Sequence, residues 1–259
     1  ALASGEAGGW WGAELKKAGY EAVVIQGKAE APVYLWIKDG AVEIRSAVHL
    51  WGKTTGDTQE SIRAELGDEK IRIAQIGPAG EAQVLFAAVM HDMNRAAGRS
   101  GLGAVMGSKN LKAIAVRGSA PVGLADKELM ALVQRWINKN YKDLMGWAVE
   151  YGTAGSVTFN HDTGGTAIRN YLDGVFEGVS KLDAREFFPI MLKDRDTCNR
   201  CPVRYKLVVE YNDQGVEIQS RYGGPEYESL GALGPLCAVN DPVAVAKANE
   251  LCAAYGLDT

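Results

Sequence analysis

The sequence predicts an α+β protein, with a sheet-rich N-terminal domain over residues 1–120 and a mostly α-helical domain over 121–259. Three observations carry this. Short runs rich in β-branched and aromatic residues crowd the first half, and Asp39-Gly40 separates two of them as a hairpin signal. Beyond residue 120 the apolar period lengthens from two residues to between three and four. A chain of 259 residues, 47% of them hydrophobic, can bury a substantial core as one large domain or two small ones. Its formal charge of −4 argues against nucleic acid as a partner. No apolar run approaches the ~20 residues that span a bilayer, so no membrane partner is expected. No signal-peptide pattern opens the chain, and its start without methionine suggests a piece of something longer. Four cysteines, at 198, 201, 237 and 252, are too sparse for a disulfide scaffold and point to a reducing, cytoplasmic location.

In chain order, strands are expected at 21–28, 32–38 and 41–46, then a capped helix at 57–66 and a strand at 70–77. Residues 81–92 fit strand or helix equally, and 111–118 reads as a strand leading out of a glycine-rich stretch. In the second domain, Leu129, Leu132, Val133, Trp136 and Ile137 share one helical face behind an Asp126 cap. A late helix starts at Asp241-Pro242 and stops at Gly256.

Four stretches could carry chemistry. "NRAAGRSGLGAVMGSKNLKAI" (94–114) sets Arg95 and Arg99 against Gly98, Gly101, Gly103 and Gly107. Glycine lets backbone N–H groups approach an anion, and arginine adds a planar donor fork suited to phosphate. The bland alternative is a tight turn between strands; the two arginines tip the balance toward an anion cradle. "SGEAGGWWG" (4–12) could offer a second backbone ledge beside Trp10 and Trp11, or simply a turn with two core tryptophans. "DTCNRCPVRYK" (196–206) holds a Cys-x-x-Cys pair, which suits a metal or cluster but supplies only two ligands; two structural thiols fit as well. In "GGPEYESLGALGPLC" (223–237), Glu226 and Glu228 precede an apolar helix, where acids are usually caps; a carboxylate there could also act as a general base.

Taken together, these stretches resemble the tungsten-dependent aldehyde ferredoxin oxidoreductase family. The matching segments are "GGWWGAELKKAGYEAVVIQGKAEAPVYLWIKDG", "IAQIGPAGE", "NRAAGRSGLGAVMGSKNLKAIAVRG", "CNRCPVR", "GGPEYESLGALG" and "GLDT", in the family's order and from end to end of the chain. The resemblance implies a fragment that lacks the family's extreme N-terminus and helical C-terminal third. It implies a sheet-rich pterin-binding domain and a tungsten bis-molybdopterin (tungstopterin) cofactor whose phosphates are bridged by Mg²⁺. By motif match, Gly8, Arg95, Ala96 and Gly98 would line the pterin phosphates, and Leu257 and Asp258 would contact a pterin ring. Cys198 and Cys201 would ligate a [4Fe–4S] cluster, and Glu228 would be a catalytic carboxylate near the tungsten.

The implied reaction oxidises an aldehyde to a carboxylic acid and passes electrons through the cluster to ferredoxin or an electron-transfer subunit, with an oligomer as the expected assembly. Two alternatives are a tungsten subunit of a class II benzoyl-CoA reductase-type enzyme and a cluster-less structural paralogue. Three positions depart from the family pattern. Tyr205 stands at the third cysteine of Cys-x-x-Cys-x-x-x-Cys, Glu6 replaces an asparagine ahead of the first glycines, and Ala253 replaces the aspartate that opens the pterin motif.

Overall fold

The computed structural model describes residues 2–259. It divides into two compact units, one running to Gly123 and including Cys252–Asp258, the other comprising Leu124–Leu251 and Thr259.

The first unit is built on a six-stranded sheet. Strands β1 (Val33–Lys38) and β2 (Ala41–Ser46) form the expected hairpin, with Lys38 opposite Ala41. Asp39 and Gly40 take φ of 46° and 88°, the mirror-image turn that Asp-Gly favours. Helix α2 (Thr55–Leu66) begins two residues earlier than its expected start because Thr54, accepting the Asp57 N–H at 3.3 Å, is the cap; Gly67 closes it in the left-handed conformation. Strand β3 (Arg72–Gln75) gives way to the short helix α3 (Pro78–Glu81). The ambiguous segment 81–92 resolves into the end of α3, a turn, and strand β4 (Val89–His91), which pairs with β5 (Arg95–Ala97). Helix α4 (Leu102–Ser108) then leads into β6 (Leu111–Arg117), buried along nearly all its length.

The strand order is β2-β1-β6-β3-β4-β5; only β1 and β6 run parallel. Tyr34, Trp36, Ile73, Ala113 and Ala115 pack with Ile62 of α2. Ile37, Ile114 and Val116 pack with Leu15 of α1 (Trp11–Lys17). Fully burying an aliphatic side chain of this size is worth ~1.5–3 kcal/mol. The strand expected at 21–28 is absent: β1 already pairs with β2 and β6 on its two sides, and residues 21–28 join neither outer edge of the sheet. Val23 and Ile25 instead rest half-buried on the Leu15 cluster.

The second unit opens with α5 (Lys127–Met145), capped by Asp126, whose carboxylate accepts the Leu129 N–H at 2.8 Å. Its apolar face is not core: none of its 19 residues is buried, and Trp136 is 56% exposed. Helices α6 (Trp147–Tyr151), α7 (Val157–Asp162) and α8 (Ala184–Met191) follow. Two small hairpins that the sequence reading did not anticipate come next: β7 (Leu192–Asp196) with β8 (Lys206–Val209), and β9 (Tyr211–Asp213) with β10 (Val216–Ile218). Then come α9 (Tyr227–Leu233) and α10 (Pro242–Tyr255). The core gathers Val157, Leu182, Phe187, Leu207, Val209, Leu230 and Val245.

The contacts divide the chain after Gly123, and residues 252–258 pack with the first unit. Ala88 donates its N–H to the Gly256 carbonyl at 2.9 Å, Asp258 donates to the Phe86 carbonyl at 3.0 Å, and Thr55 Oγ1 donates to the Ala253 carbonyl at 2.9 Å. No single helix among the described residues is long and apolar enough to cross a membrane.

Candidate functional site

The glycine–arginine block and the first glycine cluster come together in the first unit. Arg95 is 6% exposed on β5, and its Nη1 donates to Asn94 Oδ1 at 2.9 Å. Gly9, with φ 100°, lies so close that a Cβ there would meet Arg95 Cδ at 2.8 Å. Further along, Ser100 Oγ donates to the Ser4 carbonyl at 3.1 Å, so residues 4–9 run beside 95–100. Gly8 and Ala96 are exposed and Gly98 half-buried, which leaves their backbone reachable beside a buried guanidinium. A Cβ at Gly98 would strike the Asp258 carboxylate. Leu257 bridges to Ala87, and together with the Asp258–Phe86 hydrogen bond this seats the end of the chain against the block. Gly8, Arg95, Ala96, Gly98, Leu257 and Asp258 thus belong to one unit, and a cradle with no room for side chains at 9 and 98 fits a phosphate-bearing ligand.

The rest of the block is helix packing. Gly103 of α4 faces the Ala87–Ala88 backbone just before β4, where a Cβ would meet the Ala88 carbonyl at 2.6 Å, and Gly107 faces α3, where one would strike the Gly80 carbonyl. Their spacing of four residues was the signal in the sequence for a helix pressed against another backbone. Behind α3, the fully buried Lys112 ammonium pairs with Glu81 and donates to the Lys53 carbonyl at 2.9 Å, while Glu81 Oε2 accepts the Gly52 N–H at 2.7 Å. Burial pushes the Lys112 pKa down. The sequence reading missed this pair.

It also missed the groups around Arg95. His91 stands edge-on to Trp11 at 5.6 Å, and burial pushes its pKa down to about 4. Asp92 is 9% exposed; burial raises its pKa, opposed by Arg72, the Ile73 N–H, Arg63 and Arg95.

In the second unit, Cys198 and Cys201 lie on the loop of the β7–β8 hairpin, where Cys201 donates its N–H to the Cys198 carbonyl at 3.1 Å. The Thr197 hydroxyl reaches the carbonyls of Cys201 (2.9 Å), Val203 (3.0 Å) and Cys198 (3.4 Å), folding the turn on itself. Tyr205 brings its hydroxyl to 3.7 Å from Cys198 Sγ. Two thiols and a phenol do not match the ligand set of an all-cysteine [4Fe–4S] cluster. No group of three or more His, Cys, Asp or Glu is arranged to hold a metal among the described residues.

Glu226 and Glu228 differ. Glu226 occupies the N-cap position of α9, but its side chain caps nothing; its Oε1 pairs with the buried Lys206 ammonium at 2.7 Å. The cap expected there is thus corrected, because a buried cation attracts the carboxylate more strongly than amides at the helix start. Glu228, in the first turn, is exposed within this unit rather than desolvated.

The chain thus combines a sheet unit, in which two glycine loops lie beside a buried arginine, with a largely helical unit carrying a Cys-x-x-Cys turn. Comparison with known proteins gives the family. Residues 1–118 match the model for the N-terminal domain of aldehyde ferredoxin oxidoreductase, and residues 128–259 match the one for its domains 2 and 3. The chain belongs to the aldehyde ferredoxin oxidoreductase family. It is 46% identical over 255 residues to the tungsten-containing aldehyde ferredoxin oxidoreductase of Pyrococcus furiosus, covering 97% of this chain and 41% of that protein. The enzyme of the same name from Thermococcus kodakarensis gives the same identity and coverage. The WOR-like subunit of the aliphatic sulfonate oxidoreductase of Pyrococcus furiosus is 34% identical over 267 residues, 95% of this chain and 42% of that protein. The chain therefore spans about two fifths of the length of these relatives. Among solved structures, the active-site complex BamBC of benzoyl-coenzyme A reductase, in complex with 1,5-dienoyl-CoA, superposes with a TM-score of 0.79 at 24% identity. That match covers 98% of this chain and 40% of the other, and it supports the fold.

Proposed function

We propose that this chain serves in a cytoplasmic tungstopterin oxidoreductase that converts an aldehyde and water to a carboxylic acid, releasing two electrons and two protons, with ferredoxin as the electron acceptor. The substrate class follows the relatives at 42–46% identity, each named a tungsten-containing aldehyde ferredoxin oxidoreductase. The observation that carries the reading is the meeting of Gly9, Arg95, Gly98 and Asp258 in one unit.

A bis-pterin tungsten centre, when bound, supplies the two-electron redox chemistry. The backbone N–H groups of Gly8 and Gly98 and the Arg95 guanidinium would hold the pterin phosphates, and the Ala96 backbone would help to hold the Mg²⁺ that the cofactor brings. Leu257 and Asp258 would hold a pterin ring, the aspartate as an acceptor for ring N–H groups. The Glu228 carboxylate takes up the proton released as water adds to the aldehyde carbon. Because Tyr205 occupies the third ligand position, no electron step is assigned to a cluster at Cys198 and Cys201.

The test is tungsten and pterin per chain in protein from tungstate-grown cells, with aldehyde-dependent reduction of ferredoxin. Arg95→Gln should lower both metal content and turnover. Full turnover in protein devoid of tungsten and molybdenum would refute the proposal. This 259-residue segment by itself should lose tungsten on extensive dialysis, since it spans two fifths of its relatives.

A further inference from the structure

Two walls form the cradle, the Gly8–Gly9 segment and the β4–β5 hairpin, and a chain of side chains ties one to the other. Trp10 follows Gly9 directly, and the Arg72 guanidinium stacks on its indole with Cζ 5.0 Å from the ring centroid. Arg72 Nη1 in turn lies 3.5 Å from Asp92 Oδ2. Asp92 is fixed from two sides: its N–H donates to the Ile73 carbonyl at 3.0 Å, and its Oδ1 accepts the Ile73 N–H at 3.3 Å. Asp92 and Met93 both have positive φ, 47° and 70°, at the tip of the hairpin whose next strand begins with Arg95. Such backbone persists only where its surroundings hold it.

The other flank is anchored independently. Trp11 Nε1 donates to the Ile114 carbonyl at 3.0 Å, and the Trp11 ring meets His91 edge-on. The strand-side anchor therefore sets where Trp11 sits, while the Arg72–Asp92 link sets where Trp10, and so Gly9, sits relative to Arg95. With only 2.8 Å between a Cβ at Gly9 and Arg95 Cδ, a small displacement of Trp10 changes the width of the cradle.

We propose that Arg72 is a positioning residue of the phosphate cradle: held by Asp92 and stacked on Trp10, it fixes the Gly8–Gly9 segment at the separation from Arg95 that an oligoanion requires. This rests on the cradle reading of Arg95 given above. Both features of Arg72 matter. Its planar cation stacks on an indole face, and its remaining edge reaches a carboxylate, which few other side chains combine.

The test uses this chain, free of cofactor, with inorganic pyrophosphate as the probe and calorimetric titration at low salt as the readout. Arg72→Ala should weaken pyrophosphate binding by about tenfold, the loss expected when one cation–π anchor worth ~1–2 kcal/mol is removed. Arg72→Lys keeps a cation over the indole but not the planar fork and should recover only part of the affinity, and Trp10→Leu should resemble Arg72→Ala. The thermal midpoint without ligand should change by only a few degrees, because the Arg72 side chain is partly exposed. Arg95→Gln is the reference. If it abolishes binding while Arg72→Ala binds like the unaltered chain, the positioning role is overturned and the cradle stands. If Arg95→Gln leaves binding unchanged, the cradle reading falls and the inference with it. A large fall in midpoint for Arg72→Ala, without rescue of affinity by lysine, would make Arg72 a stability residue and also overturn the proposal.

Discussion

The two segments that stand out most in the sequence, 94–108 in the first unit and 196–206 in the second, are held in opposite ways. The first is fixed by missing side chains. Gly98, Gly101, Gly103 and Gly107 each face a carbonyl or a carboxylate at a distance no Cβ could occupy. The second is fixed by an added group, the Thr197 hydroxyl, which reaches three carbonyls of its own turn. Geometry that depends on absent atoms admits almost no substitution, whereas a turn gathered by one hydroxyl leaves the residues around it free to vary. Of these two segments, only the second departs from the family pattern, at Tyr205; the other two departures, Glu6 and Ala253, lie outside both segments.

The largest effect that would sharpen this contrast lies in catalysis. In the full-length protein, Glu228→Gln should cut aldehyde turnover by ~10²–10⁴-fold while leaving stability unchanged, since the side chain is exposed in its unit. Glu226→Gln should do the reverse: it weakens the partner of the buried Lys206 ammonium and costs about 1–3 kcal/mol of stability. Equal mild effects on rate from both would remove Glu228 from the reaction.

Next in size, Gly107→Ala drives a methyl into the Gly80 carbonyl, and denaturant unfolding should show a loss of about 3 kcal/mol. Gly174→Ala in the second unit, where a Cβ meets nothing within 4 Å, should stay within about 0.5 kcal/mol of the parent. Similar losses at both positions would break the comparison.

A third test concerns Tyr205. Tyr205→Cys supplies a third thiolate beside Cys198, so anaerobic reconstitution with iron and sulfide should leave several-fold more iron per chain than in the parent. Unchanged iron content and an unchanged visible spectrum would mean that the residue at 205 does not decide the matter.

The smallest effect is a pH dependence near the cradle. Folded His91 stays neutral down to about 4, whereas unfolded histidine takes up its proton near 6.5. Between these values the unfolded state binds more protons, so stability should fall as pH drops from 6.5 toward 4, by up to about 1 kcal/mol per pH unit. Asp92, raised by burial, acts in the opposite sense: folded, it gains its proton earlier and offsets part of the loss. The slope of thermal midpoint against pH should therefore flatten in His91→Gln, and an unchanged slope would show that His91 is solvated.

Much of the cradle was legible in the sequence because glycine and arginine declare their use locally. The Asp39-Gly40 hairpin, the Asp126 cap and the extent of β2 could be read for the same reason. What could not be read depends on partners far along the chain. Residues 21–28 have strand composition but pair with no strand, resting instead on the Leu15 cluster, and the apolar stripe of α5 promises a core that its unit does not supply. Asp92 closes a stretch that fits strand or helix equally, and its ion partner Arg72 lies twenty residues earlier. Glu226 gave the pattern of a cap because Lys206 lies beyond the reach of local rules.

One further consequence concerns time rather than space. The carboxylate against Gly98 belongs to Asp258, 160 residues later in the chain, and the second unit is made in between. On a ribosome the sheet and both glycine loops emerge first, yet the carboxylate that covers Gly98 cannot take its place until the residues after α10 have been synthesised and Gly256 and Asp258 have paired with Ala88 and Phe86. Throughout that interval Gly98 stands open on the side that the Asp258 carboxylate later covers.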